Sequence, residues 1–153
     1  MLLVVGAMLI PLCIDMAQSQ LSVAAFLKSQ AIGGFLGVLL VTSAGKTTTP
    51  WHVKDSFVAL SLSFLGASII ASLPLVLTGS VQSLSQGIFE SVAALTTTNA
   101  TIIPNPDSLS RGLQLWRCLL GWIGGAGFLL AAATIFPMLS ISGMHIFNPL
   151  SSE

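Results

Sequence analysis

Gln86-Gly87-Ile88-Phe89-Glu90-Ser91-Val92-Ala93-Ala94-Leu95 runs directly into Thr96-Thr97-Thr98-Asn99-Ala100-Thr101. The reading of this stretch decides the fold. Ile88, Phe89, Val92 and Leu95 recur at helical spacing. A helix of about ten residues reaches roughly 15 Å, half of a bilayer's hydrocarbon core. The hydroxyl and amide run after it would ordinarily mark a surface loop. Its flanks argue otherwise. Phe57 to Leu77 is uncharged and long enough to span a membrane, and Leu113 to Leu139 is the longest apolar segment. A half-length helix between two full spans, followed by polar backbone, is the pattern of a re-entrant pore loop. Such backbone is tolerated in a bilayer only where protein buries it or it lines a water-filled path.

Composition agrees with a membrane setting. Of 153 residues, 54% are hydrophobic and 7% are charged, against about 25% charged in a soluble domain. The mean hydropathy is +0.93. Five acids balance five bases, so the chain lacks the basic excess that nucleic acid would require. Cys13 and Cys118 both lie in apolar segments and read as buried packing residues rather than a disulfide or metal pair. No Cys/His cluster is spaced for a metal, and no acid/base pair or activated nucleophile suggests an enzyme.

Upstream, Leu2 to Ile14 contains Pro11 and is short for a span. Its length suits a signal peptide, but no Lys or Arg precedes it and Asp15 ends it. It reads as a short or truncated first membrane helix, with a polar turn from Asp15 to Gln20. Leu21 to Val41 is the second apolar segment, interrupted by Lys28, Ser29 and Gln30. Gly33, Gly34 and Gly37 give it a smooth face for close packing, and Lys28 is expected to snorkel to an interface. Thr42 to Ser56 holds Lys46, Trp51, His52 and Lys54 and is the best candidate for a cytoplasmic loop. The re-entrant segment would then enter from outside.

Downstream, Ile102 to Arg111 carries Pro104, Pro106 and Asp107 and reads as a return to the outer surface. Asp107-Ser108 is the expected start of the last helix. Small residues at Gly124 to Gly127 suit close packing against the pore helix. Arg117 could bond carbonyls behind the polar stretch or sit at an interface.

A short helix aimed into the bilayer, followed by Thr-rich extended backbone, can bind a dehydrated cation. Carbonyls and hydroxyls replace the hydration shell, and the helix C-terminus near Leu95 adds partial negative charge. Glu90 is expected at an outer vestibule or as a helix cap. Asn99-Ala100-Thr101 also matches the glycosylation pattern, which needs an exposed loop. On the residues alone, ion path and ordinary loop both stand.

The run from Phe89 to Thr101 resembles the first pore loop of the Trk/Ktr/HKT superfamily of potassium transporters. Leu115-Trp116-Arg117, Trp122 to Gly127, Phe136 to Leu139 and Ser142 to Phe147 are similar too. The likeness is closest to the N-terminal part of the Trk potassium-uptake membrane subunit. It implies an all-α membrane protein: a helix–pore loop–helix repeat preceded by two transmembrane helices. Residues 1–56 would hold those two helices and a cytoplasmic loop, and residues 57–139 the first of four repeats. Residues 140–153 would be a cytoplasmic tail truncated before a second repeat.

The implied filter is Thr97, Thr98, Asn99 and Ala100, with potassium at Thr97 and Thr98. Thr96, Thr101 and Arg117 would support it. Asn99 stands where the family pattern has Gly, so the resemblance implies weakened potassium selectivity or a closed filter. No cofactor is implied; potassium is the transported ion. Implied partners are membrane lipid, the remaining repeats from this or another chain, a second copy in a dimer, and a cytosolic nucleotide-binding regulator. The setting implied is a multi-pass protein of the cell membrane. A truncated non-conducting relic, a structural subunit needing other chains, and a self-assembled tetrameric cation pore are the alternatives.

Overall fold

In the computed structural model, residues 2–18, 22–43 and 53–140 are described, the side chains of 53 and 136–140 excepted. Among them the only regular secondary structure is helical, with no strand. Helices α1 (Leu2–Ala7) and α2 (Leu9–Ala17) are followed by α3 (Ser22–Ser43) and α4 (Val53–Leu77). The short α5 (Leu84–Leu95), a 3₁₀ turn at Pro106–Ser108 and the long α6 (Arg111–Ser140) complete the chain. Three helices are long and apolar enough to cross a membrane: Ser22–Ser43, Lys54–Leu77 and Arg111–Ile135. The helix-rich membrane class is therefore as expected. Loop residues Lys46, Trp51 and His52 and the tail beyond Ser140 lie outside the described residues.

Several boundaries differ from the sequence reading, each for a local reason. The first segment is two helices that meet at Met8. Pro11 has no N–H for the carbonyl of Ala7, where α1 ends. The Asp15–Gln20 turn is also corrected, since Asp15 belongs to α2 and is fully buried. Lys28, Ser29 and Gln30 do not interrupt α3. Ser29 returns its hydroxyl to the Ala25 carbonyl (2.7 Å) and Gln30 donates to the Val5 carbonyl (3.3 Å), so their polar groups are met within the bundle. Lys28 is exposed. Helix α6 does not begin at Asp107-Ser108, which sit in the 3₁₀ turn. Ser110 caps it instead, accepting from the Leu113 N–H (3.3 Å).

The core joins α1, α2, α3, α4 and α6 through Val4, Met8, Phe26, Ile70, Leu75, Trp116 and Leu120. Gly33 and Gly37 are buried. A Cβ at Gly33 would stand 2.8 Å from Ile70 and 2.9 Å from Val5, and one at Gly37 would stand 2.7 Å from Leu2. The smooth face expected of α3 is thus the face that meets α1 and α4. Trp116 is fully buried, packs edge-on against Phe26 with ring centroids 6.4 Å apart and donates its indole N–H to the Ala71 carbonyl (3.0 Å). One side chain therefore ties α6 to α3 and α4. Cys13 and Cys118 are free thiols, and both are exposed rather than buried.

Helix α4 ends in a reverse turn. Gly79 takes a φ of 72°, its N–H bonds the Val76 carbonyl (3.0 Å) and the Ser80 N–H bonds that of Leu75 (3.1 Å). This is the glycine-dependent closure of a helix C-terminus. It turns the chain back so that α5 packs along α4, where a Cβ at Gly87 would stand 2.6 Å from Val76.

Candidate functional site

Helix α5 starts two residues before the expected Gln86. Ser83 caps it by accepting from the Gln86 N–H (3.3 Å), and the Gln86 side chain accepts from the Gln82 N–H (2.8 Å). With twelve residues the helix rises about 18 Å, still too short to cross a bilayer. Ala93, Ala94 and Leu95 at its end are buried, whereas Thr96 to Ala100 are exposed.

The end of α5 is locked by its own polar residues. Thr96 donates its hydroxyl to the Val92 carbonyl (2.8 Å) and shares a bond with the Thr98 hydroxyl (2.9 Å). Thr97 N–H reaches the Ala94 carbonyl (3.0 Å), and Asn99 N–H reaches the Ala93 carbonyl (3.1 Å). Thr97 and Asn99 have φ of 58° and 55°. Asn adopts this left-handed region more readily than other non-Gly residues, so Asn99 holds the kind of position that glycine favours. Thr97 is the surprise, because a β-branched residue there is a genuine outlier. Its hydroxyl returns to the Thr96 carbonyl (2.7 Å). Among the described residues, the carbonyl oxygens of Thr97, Thr98, Asn99 and Ala100 accept no hydrogen bond.

Beneath this strip lies the main correction to the sequence reading. Glu90 neither lines a vestibule nor caps a helix; it is buried at 1% exposure. Its Oε1 accepts from the Thr101 hydroxyl (2.7 Å) and the Ile102 N–H (2.6 Å). Its Oε2 pairs with Arg117 Nη2 at 3.2 Å. A carboxylate out of water needs both a counter-charge and donors, and α6 and the returning segment supply them. Arg117 therefore bonds a carboxylate rather than the carbonyls behind the polar stretch. An arginine inside an apolar helix was the available signal, since it calls for an acid within reach. The local spacing of Glu90 gives no such signal.

The small residues of α6 pack where α5 ends. A Cβ at Gly124 would overlap the carbonyl of Leu95. One at Gly121 would stand 3.6 Å from the Ala94 carbonyl, and one at Gly125 3.8 Å from Thr97 Cγ2. Gly127 faces open space. Packing is thus the role of Gly124, as its composition suggested. A cavity of about 300 Å³ lies beside the strip, lined by Asn99, Ala100, Asp107, Gln114, Arg117 and Cys118 among others. Thr101 and Arg117 therefore meet at one buried carboxylate, Asn99 and Ala100 share the cavity with Arg117, and, among the described residues, Thr96, Thr97 and Thr98 bond only to the end of α5 and to each other.

A model of the family described as TrkH, cation transport protein, matches residues 23–152. The Trk system potassium uptake protein TrkI of Halomonas elongata is 38% identical over 95% of this chain and 30% of its own length. The Trk system potassium uptake protein TrkH of the same organism is 36% identical over 63% of this chain and 20% of its own. Its namesake in Escherichia coli K12 is 26% identical over 94% of this chain and 30% of its own. The chain thus spans less than a third of the length of these curated relatives. No solved structure matches it. Membrane-length helices, the half-length α5 and the family match agree, and the chain belongs to the TrkH family of membrane cation transport proteins.

Proposed function

We propose that this chain supplies the first helix–pore loop–helix unit of a Trk-type potassium pathway. In this reading α4 and α6 are the two spans, α5 is the pore helix, and Thr97 to Ala100 are one quarter of a cation filter. The filter end of the bundle faces outside, and α1 to α3 precede the repeat. The observation that carries this is the strip itself. Four successive carbonyls without protein partners follow the C-terminus of a helix half a bilayer long. A partly dehydrated monovalent cation can take such carbonyls in place of water. The helix end adds partial negative charge, and the buried Glu90–Arg117 pair holds the strand that leaves the strip. The curated relatives are named potassium uptake proteins. The remaining repeats, a second copy and a cytosolic nucleotide-binding regulator complete the proposed assembly.

The test is rubidium uptake in bacteria that lack their own potassium uptake systems. The chain is expressed together with the remaining repeats of a Trk relative, and each half is also expressed alone. Growth on low potassium and rubidium uptake are expected only from the pair. Membrane-inserted pairs that restore neither would overturn the reading.

A further inference from the structure

A second buried carboxylate lies away from the filter strip. Asp15, in the last turn of α2, is 0% exposed. Its Oδ2 accepts from the hydroxyls of Ser22, at the start of α3, and Ser110 (3.1 Å). Its Oδ1 accepts from the Gly112 N–H (2.8 Å). Gly112 is in the first turn of α6, and a Cβ there would overlap the carboxylate. The first amides of a helix lack intrahelical partners and favour an anion. Ser110 already caps α6 from within the chain next to it. Asp15 adds a cap from 97 residues away in sequence, which a local cap would not need.

What this remote cap accomplishes is attachment. Gly112 precedes Arg117 by five positions on one helix, about 7.5 Å along its axis. Arg117 holds Glu90, and Glu90 holds Thr101 and Ile102, the residues that follow Ala100. A continuous series of bonded groups thus runs from the junction of α2 and α3 to the strand leaving the strip. We propose that Asp15 is a positioning residue for the ion pathway: by anchoring α6 it sets the height of Arg117, and through Glu90 the placement of Thr101 and Ile102. The role in ion passage rests on reading Thr97 to Ala100 as the pathway. The mechanical link does not.

Amide exchange read by mass spectrometry on the full chain in lipid nanodiscs tests the link without transport. The variants are D15A, G112A, which expels the carboxylate without altering its charge, and I70A, a core control whose side chain takes no part in these bonds. D15N is included because it keeps one acceptor oxygen for Gly112. In D15A and G112A, exchange is expected to rise about tenfold both at Gly112–Leu113 and at Thr101–Ile102, while α4 stays protected. D15N should fall between D15A and the parent. A rise confined to residues 110–114 would show a local cap only and overturn the proposal. So would no rise at all, or the general loss of protection expected of I70A.

In the assembled transporter, D15A should raise the KM for rubidium several-fold with little change in maximal rate. An unchanged KM would overturn the role in ion passage. Absence of rubidium uptake by the unaltered assembly would instead count against the pathway reading, and the exchange experiment would still decide the link.

Discussion

A carboxylate has two oxygens, and Glu90 uses one for a cation and the other for a chain segment. Removing one partner of a buried ion pair typically costs about 3–5 kcal/mol, because the other charge is stranded. Glu90→Gln should therefore lower the unfolding free energy by about 3 kcal/mol, measured by denaturant titration in detergent. The double variant Glu90→Gln, Arg117→Met should lose less than the two single variants summed. Thr97 presents a different residue-scale cost. A β-branched residue in the left-handed region is strained by about 1–3 kcal/mol, so Thr97→Gly should stabilise the fold by about 1 kcal/mol while reducing rubidium uptake. Equal or lower stability in the same titration would show that Thr97 is not strained. The left-handed Asn99 was legible, because Asn is an inexpensive substitute for Gly. The left-handed Thr97 and the depth of Glu90 were not. Glu90 is fixed by groups outside its own helix, the α6 arginine and the segment at Thr101, and the local bonds of Thr97 to Ala94 and Thr96 follow no pattern that its residue type suggests.

At the scale of the element, the glycines of α6 are not equivalent. Gly124 meets backbone, which does not yield, whereas Gly127 meets nothing within 4 Å. Gly124→Ala should destabilise by about 1–3 kcal/mol, as overpacking does, and Gly127→Ala should be neutral or slightly stabilising through helix propensity. Thermal unfolding in detergent separates the two, and equal shifts would refute the packing assignment. The helices themselves were readable from apolar length, including the half-length of α5. Their ends were less so. The start of α5 rests on the Ser83 cap and that of α6 on Ser110 with Asp15. Asp15 comes from another helix, so no window around Gly112 reveals it. The continuity of α3 was hidden for a similar reason, because Ser29 and Gln30 are satisfied by bonds that hydropathy does not register.

The whole molecule is defined by the surface it leaves open. Trp122, Phe128, Leu129 and Leu130 on α6 are exposed at 68–80%, and the polar strip from Thr96 to Ala100 is exposed as well. Lipid can cover apolar side chains, but it offers no donors or acceptors to polar backbone. The account therefore predicts that the chain co-purifies in a defined complex with the remaining repeats. Its mass in detergent should correspond to one copy of the 15.9 kDa chain per set of three further repeats. A discrete assembly of four identical copies would favour a self-assembled pore instead. The family was legible from short motifs around α5. The proposed assembly was not, because one chain carries only one side of each contact it makes.

The most direct test of the central claim, that Thr97 to Ala100 line an ion path, is the ratio of rubidium to sodium uptake. It is measured in a complete transporter carrying this segment, with Asn99 and with Asn99→Gly. Asn99 sets an amide side chain at the proposed filter turn, where its backbone is already left-handed, so glycine should keep the turn and remove the bulk. The account predicts a ratio about tenfold higher with glycine, equivalent to about 1.4 kcal/mol of discrimination. Identical ratios in the two proteins, at equal expression and equal uptake rates, would contradict it.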